Sequence, residues 1–295
     1  MNKISYIEKN GEQFRLTPLE IKTKKPIDNI GNERDQTLDA VRHMRYAATL
    51  NIPTLKAVPR PRDGKALIVG GGPTLADQLD QIRSLAEDPK NAIFAVNWTH
   101  TWLIQRQIIP TCCVLFEIDV EPDNVLKASH EEVLYLICSH CHQKTFDELK
   151  HRKRMLWHSV PGSKPEYDAA KELFPDVTIL PASIWTFIKS ISVALAFGFR
   201  SFDLFGCDGS FPDGSSSTHV DGYETSNNVD TDGFCVYAED GGAGIVKRYN
   251  TVGYLTHQVE EFKKFCETNH HLYSMRIHGN SLMRFVHQQT YPDQY

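Results

Sequence analysis

Three consecutive glycines, Gly70, Gly71 and Gly72, follow the apolar run ALIV and precede Pro73-Thr74-Leu75. Glycine lets a backbone turn tightly and come close to a ligand. A helix that opens just after such a turn offers free N–H groups and the positive end of its dipole to a phosphate. The segment is therefore read as a strand-turn-helix that binds a nucleotide phosphate through Gly70, Gly71, Gly72, Pro73 and Thr74. The same glycines also suit a tight turn with no ligand. The motif is not a Walker A loop, because the downstream Gly-Lys-Ser/Thr is missing. It is not GxGxxG either, because Leu75 or Ala76 replaces the third glycine.

Carboxylates stand at two later strand ends. CCVLFEIDVEP carries Glu117, Asp119 and Glu121, and SFDLFGCDGSF carries Asp208. A carboxylate just past a parallel strand can hold Mg²⁺, a ribose hydroxyl or a substrate amine. For Asp119 a helix N-cap explains the residue equally well. For Asp208 the unusual loop that follows favours function. Asp119 and Asp208 are thus the candidate Mg²⁺ ligands, and Asp119 also a nucleotide contact.

Histidines supply the remaining chemistry. His158 ends RMLWHS, and His219 follows Thr218 in the long loop. Both fall where a ligand-facing edge is expected, so both are candidate general acids or bases, with Asp208 the third catalytic candidate. Ser183 precedes the apolar stretch IWTFIKSISVALAFGF and is read as an N-cap and a second anion contact. Cys138, His140, Cys141 and His142 have the types that bind zinc, but no second ligand pair stands at a recognisable spacing. Zinc is disfavoured, and the alternative is that Cys138 ends a strand while His140 and His142 face a cleft or solvent.

These residues need a scaffold that brings strand ends together. From Lys65 onward short apolar runs alternate with helix-like stretches. The runs are KALIVG, NAIFAV, CCVLFEID, EVLYLIC, RMLWHS, DVTIL and SFDLFG. They lack polar alternation, as strands buried on both faces do. Helices are expected over 74–87, 99–107, 143–151, 164–173 and 183–198. The pattern predicts an α/β fold with a mostly parallel sheet and helices on both faces, whose ligand site lies at the carboxyl ends of the strands. Residues 208–244 read as one long Gly/Ser/Asp loop, followed by a helix near 251–269 and a last strand, HLYSMRI. Residues 1–64 read as an N-terminal arm with one helix, 33–50, and a Pro-rich linker. The arm is expected to pack on the main domain, 65–295, or on a second subunit of a homo-oligomer.

Composition sets the class. The chain has 295 residues, 41% hydrophobic and 23% charged, which suffices for a large core. The formal net charge of −5 argues against a uniformly basic surface that grips nucleic acid. No apolar stretch approaches a membrane span, and the N-terminus lacks the apolar region of a secretory signal. A cytoplasmic protein is expected. Seven cysteines, several inside apolar runs, fit reduced thiols better than a disulfide framework.

ALIVGGGPTL, FEIDVEP, YLICSHCHQKTFDEL, WHSVPGS, FGFRSFDLFGCDGSF and STHV occur in this order. Together they resemble the MptE-like family, which includes archaeal 6-hydroxymethylpterin diphosphokinases and the central domain of flagellin-modifying Maf proteins. CHQKTFDEL and RSFDLFGCDGS look most like phage and prophage members. More distantly, the motifs are similar to bacterial sialyltransferases that use a CMP-sugar. The resemblance covers roughly residues 60 to 220. It implies a Rossmann-like fold and a nucleotide or nucleotide-sugar substrate. By position it carries over the turn from Gly70 to Thr74, the acids Asp119 and Asp208, and the histidines His142, His158 and His219. Thr74 stands for the usual Ser and keeps the hydroxyl. Pro181-Ala182-Ser183-Ile184-Trp185 replaces a Gly-rich helix opening, and side chains there narrow the approach to a second phosphate.

The expectation is a nucleotide-dependent transferase acting on a small-molecule or glycan acceptor. If diphosphate is transferred, Asp119 and Asp208 hold Mg²⁺ while the glycine turn cradles phosphates. If a sugar is transferred, His219 or His158 deprotonates the acceptor. The alternative is a non-catalytic binding or assembly module of a phage or prophage that retains the fold.

Overall fold

The computed structural model describes residues 5–9, 12–16, 36–118, 128–159, 163–181, 183–212, 215, 217–222, 234–240 and 245–295. In chain order it begins β1 (Ser5–Lys9), β2 (Glu12–Leu16), α1 (Thr37–Ala48), β3 (Ala66–Val69), a 3-10 turn (Pro73–Gln78), α2 (Leu79–Ala86), β4 (Ala92–Val96) and α3 (Thr99–Ile104). Next come β5 (Cys112–Leu115), β6 (Leu134–Cys138), α4 (Gln143–Glu148), β7 (Lys153–Ser159), α5 (Lys164–Leu173), β8 (Ile179–Leu180), α6 (Thr186–Ala196) and β9 (Ser201–Phe205). The chain ends with β10 (Phe234–Asp240), β11 (Ile245–Thr251), α7 (Gly253–Asn269), β12 (Ser274–Ile277) and α8 (Leu282–Thr290).

The chain divides into two units. The larger takes Glu33–Gly70 and Asp80–Asp203. Its strands are bonded in the order β9-β3-β4-β5-β6-β7-β8, and each neighbouring pair from β3 to β8 is parallel. Ala66 stands opposite Ala92, and Cys138 opposite Trp157. Every residue of β3, β4 and β5 is buried. Strands covered on both faces have no wet side to advertise, so their sequences run apolar throughout. Phe94 meets Phe199 edge-on with centroids 5.7 Å apart, and Phe116 stacks on Trp157. The fold is α/β and Rossmann-like, as the alternation predicts.

The smaller unit takes Met1–Asn32, Gly71–Leu79 and Leu204–Tyr295. In it His278 N–H, just past β12, donates to the Leu204 carbonyl at 2.9 Å. A second, antiparallel sheet has the order β11-β10-β1-β2, with Tyr6 opposite Tyr237 and Val236 opposite Tyr249. Val259, Phe262 and Cys266 of α7 and Met283 of α8 are buried here.

Three sequence expectations are adjusted. The helix read over 74–87 opens at Leu79, because Pro73–Gln78 winds as a 3-10 turn. The helix read over 183–198 opens at Thr186 with Trp185 as its N-cap, so Ser183 is not the cap; its hydroxyl accepts from the Trp185 N–H at 3.0 Å. The stretch 208–244 contains β10, whose partners β1 and β11 lie far away in sequence or past the loop. Among the described residues no helix is long and apolar enough to cross a membrane.

Candidate functional site

The glycine turn is held from three directions within the smaller unit. Gly72 N–H donates to the Gly206 carbonyl at 2.7 Å, and Val220 N–H donates to the Gly71 carbonyl at 2.9 Å. Thr74 N–H donates to Asp208 Oδ2 at 2.9 Å, and the Thr74 hydroxyl donates to Oδ1 at 2.7 Å. Gln78 completes the arrangement: its Nε2 donates to Thr74 Oγ1 at 2.7 Å, and its Oε1 accepts from Gly206 N at 3.3 Å. Gly206 and Gly279 have φ of 58° and 87°, in the region that favours glycine. The second of these also leaves room for Thr74, whose Oγ1 would lie 2.5 Å from a Cβ at position 279.

Asp208 is thus the partner of Thr74. It is 4% exposed, and burial pushes its carboxyl up to about 6 while the two Thr74 bonds pull it back down. Both carboxylate oxygens accept from Thr74 in this arrangement. The first N–H groups of the turn, those of Gly72, Thr74 and Leu75, bond within the protein, the last to the Gly72 carbonyl. Gly70 is the buried last residue before the turn.

His219 lies one residue before the Val220 that grips Gly71, so the structure brings Gly71, Gly72, Thr74, Asp208 and the His219 loop together. The ring is half-buried, and desolvation lowers its pKa from 6.5. Its Nδ1 is 3.1 Å from Thr218 Oγ1, which accepts from the Tyr254 hydroxyl at 3.0 Å. Ser217 Oγ accepts from His219 N–H at 3.1 Å and fixes the backbone there.

The other candidates lie in the larger unit. His158 is fully buried against Phe174, with ring centroids 4.3 Å apart, and neither ring nitrogen has a partner among the described residues. Burial drops its pKa to about 4. His140 is also fully buried at about 4, and its Nε2 donates to the Phe116 carbonyl at 2.7 Å. His142 caps α4 by accepting from Lys144 N–H at 3.2 Å. Burial pushes the Cys138 thiol up to about 11 and raises Cys141 well above its ordinary range, so both hold their protons. Among the described residues no cluster of three His, Cys, Asp or Glu could hold a metal. Glu117 accepts from Asn97 Nδ2 at 2.7 Å. Asp119 and Glu121 lie outside the described residues.

One group escaped the sequence reading. Lys189 of α6 is fully buried; its ammonium donates to Ser159 Oγ and to the Pro181 carbonyl, over the Phe116 ring. A single lysine inside IWTFIKSISVALAFGF was the available signal, because a charge in an otherwise buried helix must be satisfied internally.

An α/β sheet of parallel strands with a glycine turn after its first core strand defines a Rossmann-like class. Residues 42–214 match the profile of the MptE-like family, described as 6-hydroxymethylpterin diphosphokinase MptE-like. That span is more than half of the chain, and the protein belongs to the MptE-like family. A search of curated proteins returns no match. Among solved structures, the MAf glycosyltransferase from Magnetospirillum magneticum AMB-1 is 17% identical with a TM-score of 0.61, covering 83% of this chain and 37% of that one. The likeness shows the fold, and the chain spans well under half the length of that neighbour. His219 falls beyond the matched span.

Proposed function

We propose that this protein is a nucleotide-dependent transferase that moves a sugar from a nucleotide-sugar to an acceptor hydroxyl. The observation that carries the choice of sugar over diphosphate is the engagement of Asp208. Diphosphate transfer would ask Asp119 and Asp208 to hold Mg²⁺. Asp208 is buried with both oxygens bonded to Thr74, and a carboxylate so placed does not fit a metal ligand. Sugar transfer asks instead for an imidazole near the nucleotide phosphate. His219 meets that need beside the glycine turn, whereas His158 is shut in the core. The structural neighbour, a glycosyltransferase, supports the same reading.

The test is calorimetric and enzymatic. Wild-type protein is titrated with CMP-sialic acid, UDP-sugars, ATP and GTP, with Mg²⁺ and with EDTA. Binding and slow hydrolysis of one nucleotide-sugar, undiminished by EDTA, is the expected result. Pyrophosphate transfer from ATP that vanishes with EDTA would overturn the sugar assignment. Gly71→Trp should abolish nucleotide binding, and unchanged affinity would remove the turn from the site.

A further inference from the structure

Strand β12 is an edge strand, and its outer side is covered by side chains. His278 N–H, just past its end, turns inward to the Leu204 carbonyl. Successive N–H groups along a strand point to opposite sides. The N–H groups of Met275 and Ile277 therefore point outward. Residues 291–295 take both. Gln294 Oε1 accepts from Met275 N–H at 2.7 Å, and the Tyr295 hydroxyl accepts from Ile277 N–H at 3.1 Å. The covering segment is a 3-10 turn, Pro292–Gln294, so it meets the edge with side chains and not with a paired backbone. Tyr295 is seated by its ring as well. The Arg276 guanidinium lies 5.9 Å from the ring centroid and that of Arg284 5.4 Å, and His287 Nδ1 is 3.1 Å from the hydroxyl. An uncovered row of edge donors is a template for pairing with another chain.

We propose that the outer edge of β12 is a strand-addition site, that residues 291–295 are the strap that closes it, and that its occupant is an extended peptide alternating acidic and apolar residues. An incoming strand replaces the two side-chain acceptors with backbone carbonyls, one for one. It also engages the carbonyls of Met275 and Ile277, because residues so placed in an antiparallel pair exchange both bonds. Its acidic residues answer Arg276, exposed on one face of β12, and Arg284, the two arginines that flank Tyr295 in the closed form. Opposite charges on neighbouring strands stabilise the pairing. Its apolar residues fall on the other face, where Met275 and Ile277 are buried. The same arginine disfavours a second copy. Pairing β12 antiparallel with its own copy about Arg276 sets two guanidiniums opposite each other in a closely spaced pair. The inference is independent of the nucleotide-sugar reading, and β12 lies beyond the family match, which ends at residue 214.

The probes are two fluorescein-labelled peptides, Glu-Val-Glu-Val-Glu-Val and Lys-Val-Lys-Val-Lys-Val, read by anisotropy against the full chain. A site whose open form is a minor population loses apparent affinity in proportion. The double variant Gln294→Ala/Tyr295→Ala should therefore bind the acidic peptide about tenfold more tightly than the wild type, through the loss of two side-chain bonds that hold the strap. Adding Arg276→Ala to the double variant should undo most of that gain, and the lysine peptide should bind neither form. Equal affinity of wild type and double variant for the acidic peptide, or binding to neither, overturns the site. Equal binding of the two peptides overturns the acidic partner. A double variant that becomes dimeric by light scattering and ignores both peptides gives the edge to a second copy and overturns the peptide assignment. Two milder variants keep the strap testable if the double variant misfolds. Amide exchange followed by NMR should quicken at Ile277 but not Met275 in Tyr295→Phe, and at Met275 but not Ile277 in Gln294→Ala. Unchanged exchange at both amides in both variants overturns the strap.

Discussion

At Gly72 the whole side chain is one hydrogen, and the space beside it is filled. A methyl group there would meet Asp208 Oδ2 and lie 2.7 Å from the Gly206 carbonyl. Neither neighbour can retreat, because one is backbone and the other is bonded twice to Thr74. Gly72→Ala should therefore destabilise the protein by roughly 1–3 kcal/mol, the range for forced overpacking, read as a lowered urea midpoint at constant slope. Asp208 makes a prediction of opposite character. Its carboxyl pKa is raised from 3.8 to about 6, chiefly by burial. The folded state thus holds a proton that the unfolded state gives up across that interval. Stability from this group is full below pH 3.8 and declines as pH rises through 6. Relative to Asp208→Asn, the wild type should gain stability as pH falls from neutral toward 4. Parallel urea midpoints for the two proteins across that window would refute the buried, ionisable state.

Elements were legible where their signal is local. The uninterrupted apolar runs at β3, β4, β5 and β6 gave a parallel sheet because both faces of such strands are dry. The helix at Lys164–Leu173 matches its expected span, and Ser163 caps it by accepting from Glu166 N–H at 3.2 Å. What escaped is non-local. Nothing in SYIEK or EQFRL names β10 as their partner, since strand pairing depends on residues more than two hundred positions away. The Gly70–Gly72 turn was visible as a turn, but its engagement by Asp208 was not, and that engagement decides how the two acids are read. Helix α6 carries the clearest element-scale test. Replacing Lys189 with Met keeps the apolar stem and removes the ammonium. Ser159 Oγ already lies 3.4 Å from the Pro181 carbonyl, so these groups can satisfy each other. Lys189→Met should change stability by less than about 1.5 kcal/mol, whereas Lys189→Ala should cost roughly 2–5 kcal/mol through the cavity it opens. Equal losses for both variants would show that the charge, not the stem, is what α6 needs.

For the whole molecule, the division into units does not follow the order of the chain. The larger unit is built from two stretches and the smaller from three, and the nine residues Gly71–Leu79 sit between segments of the other unit. Composition and periodicity are read along the chain, so an excursion this short leaves no trace in them. The sequence boundary at residue 64 marks a change in composition, a different thing from a change in contacts. The same blindness explains why the acids, the histidines and the glycine turn could be named as candidates but not sorted. His158 and His219 look alike as histidines at the expected ligand-facing edge, yet one is sealed against Phe174 and the other is half-buried beside the turn.

The Thr74–Asp208 pair also has a meaning in time. The partners are 134 positions apart. A ribosome adding roughly 5–20 residues per second needs on the order of ten seconds to make the second after the first. During that interval the glycine turn stands without the carboxylate that will hold it, and by its end every strand from β3 to β8 has been synthesised. The turn is consequently finished only after those strands, and any chaperone that attends this chain meets the sheet before it meets the completed turn.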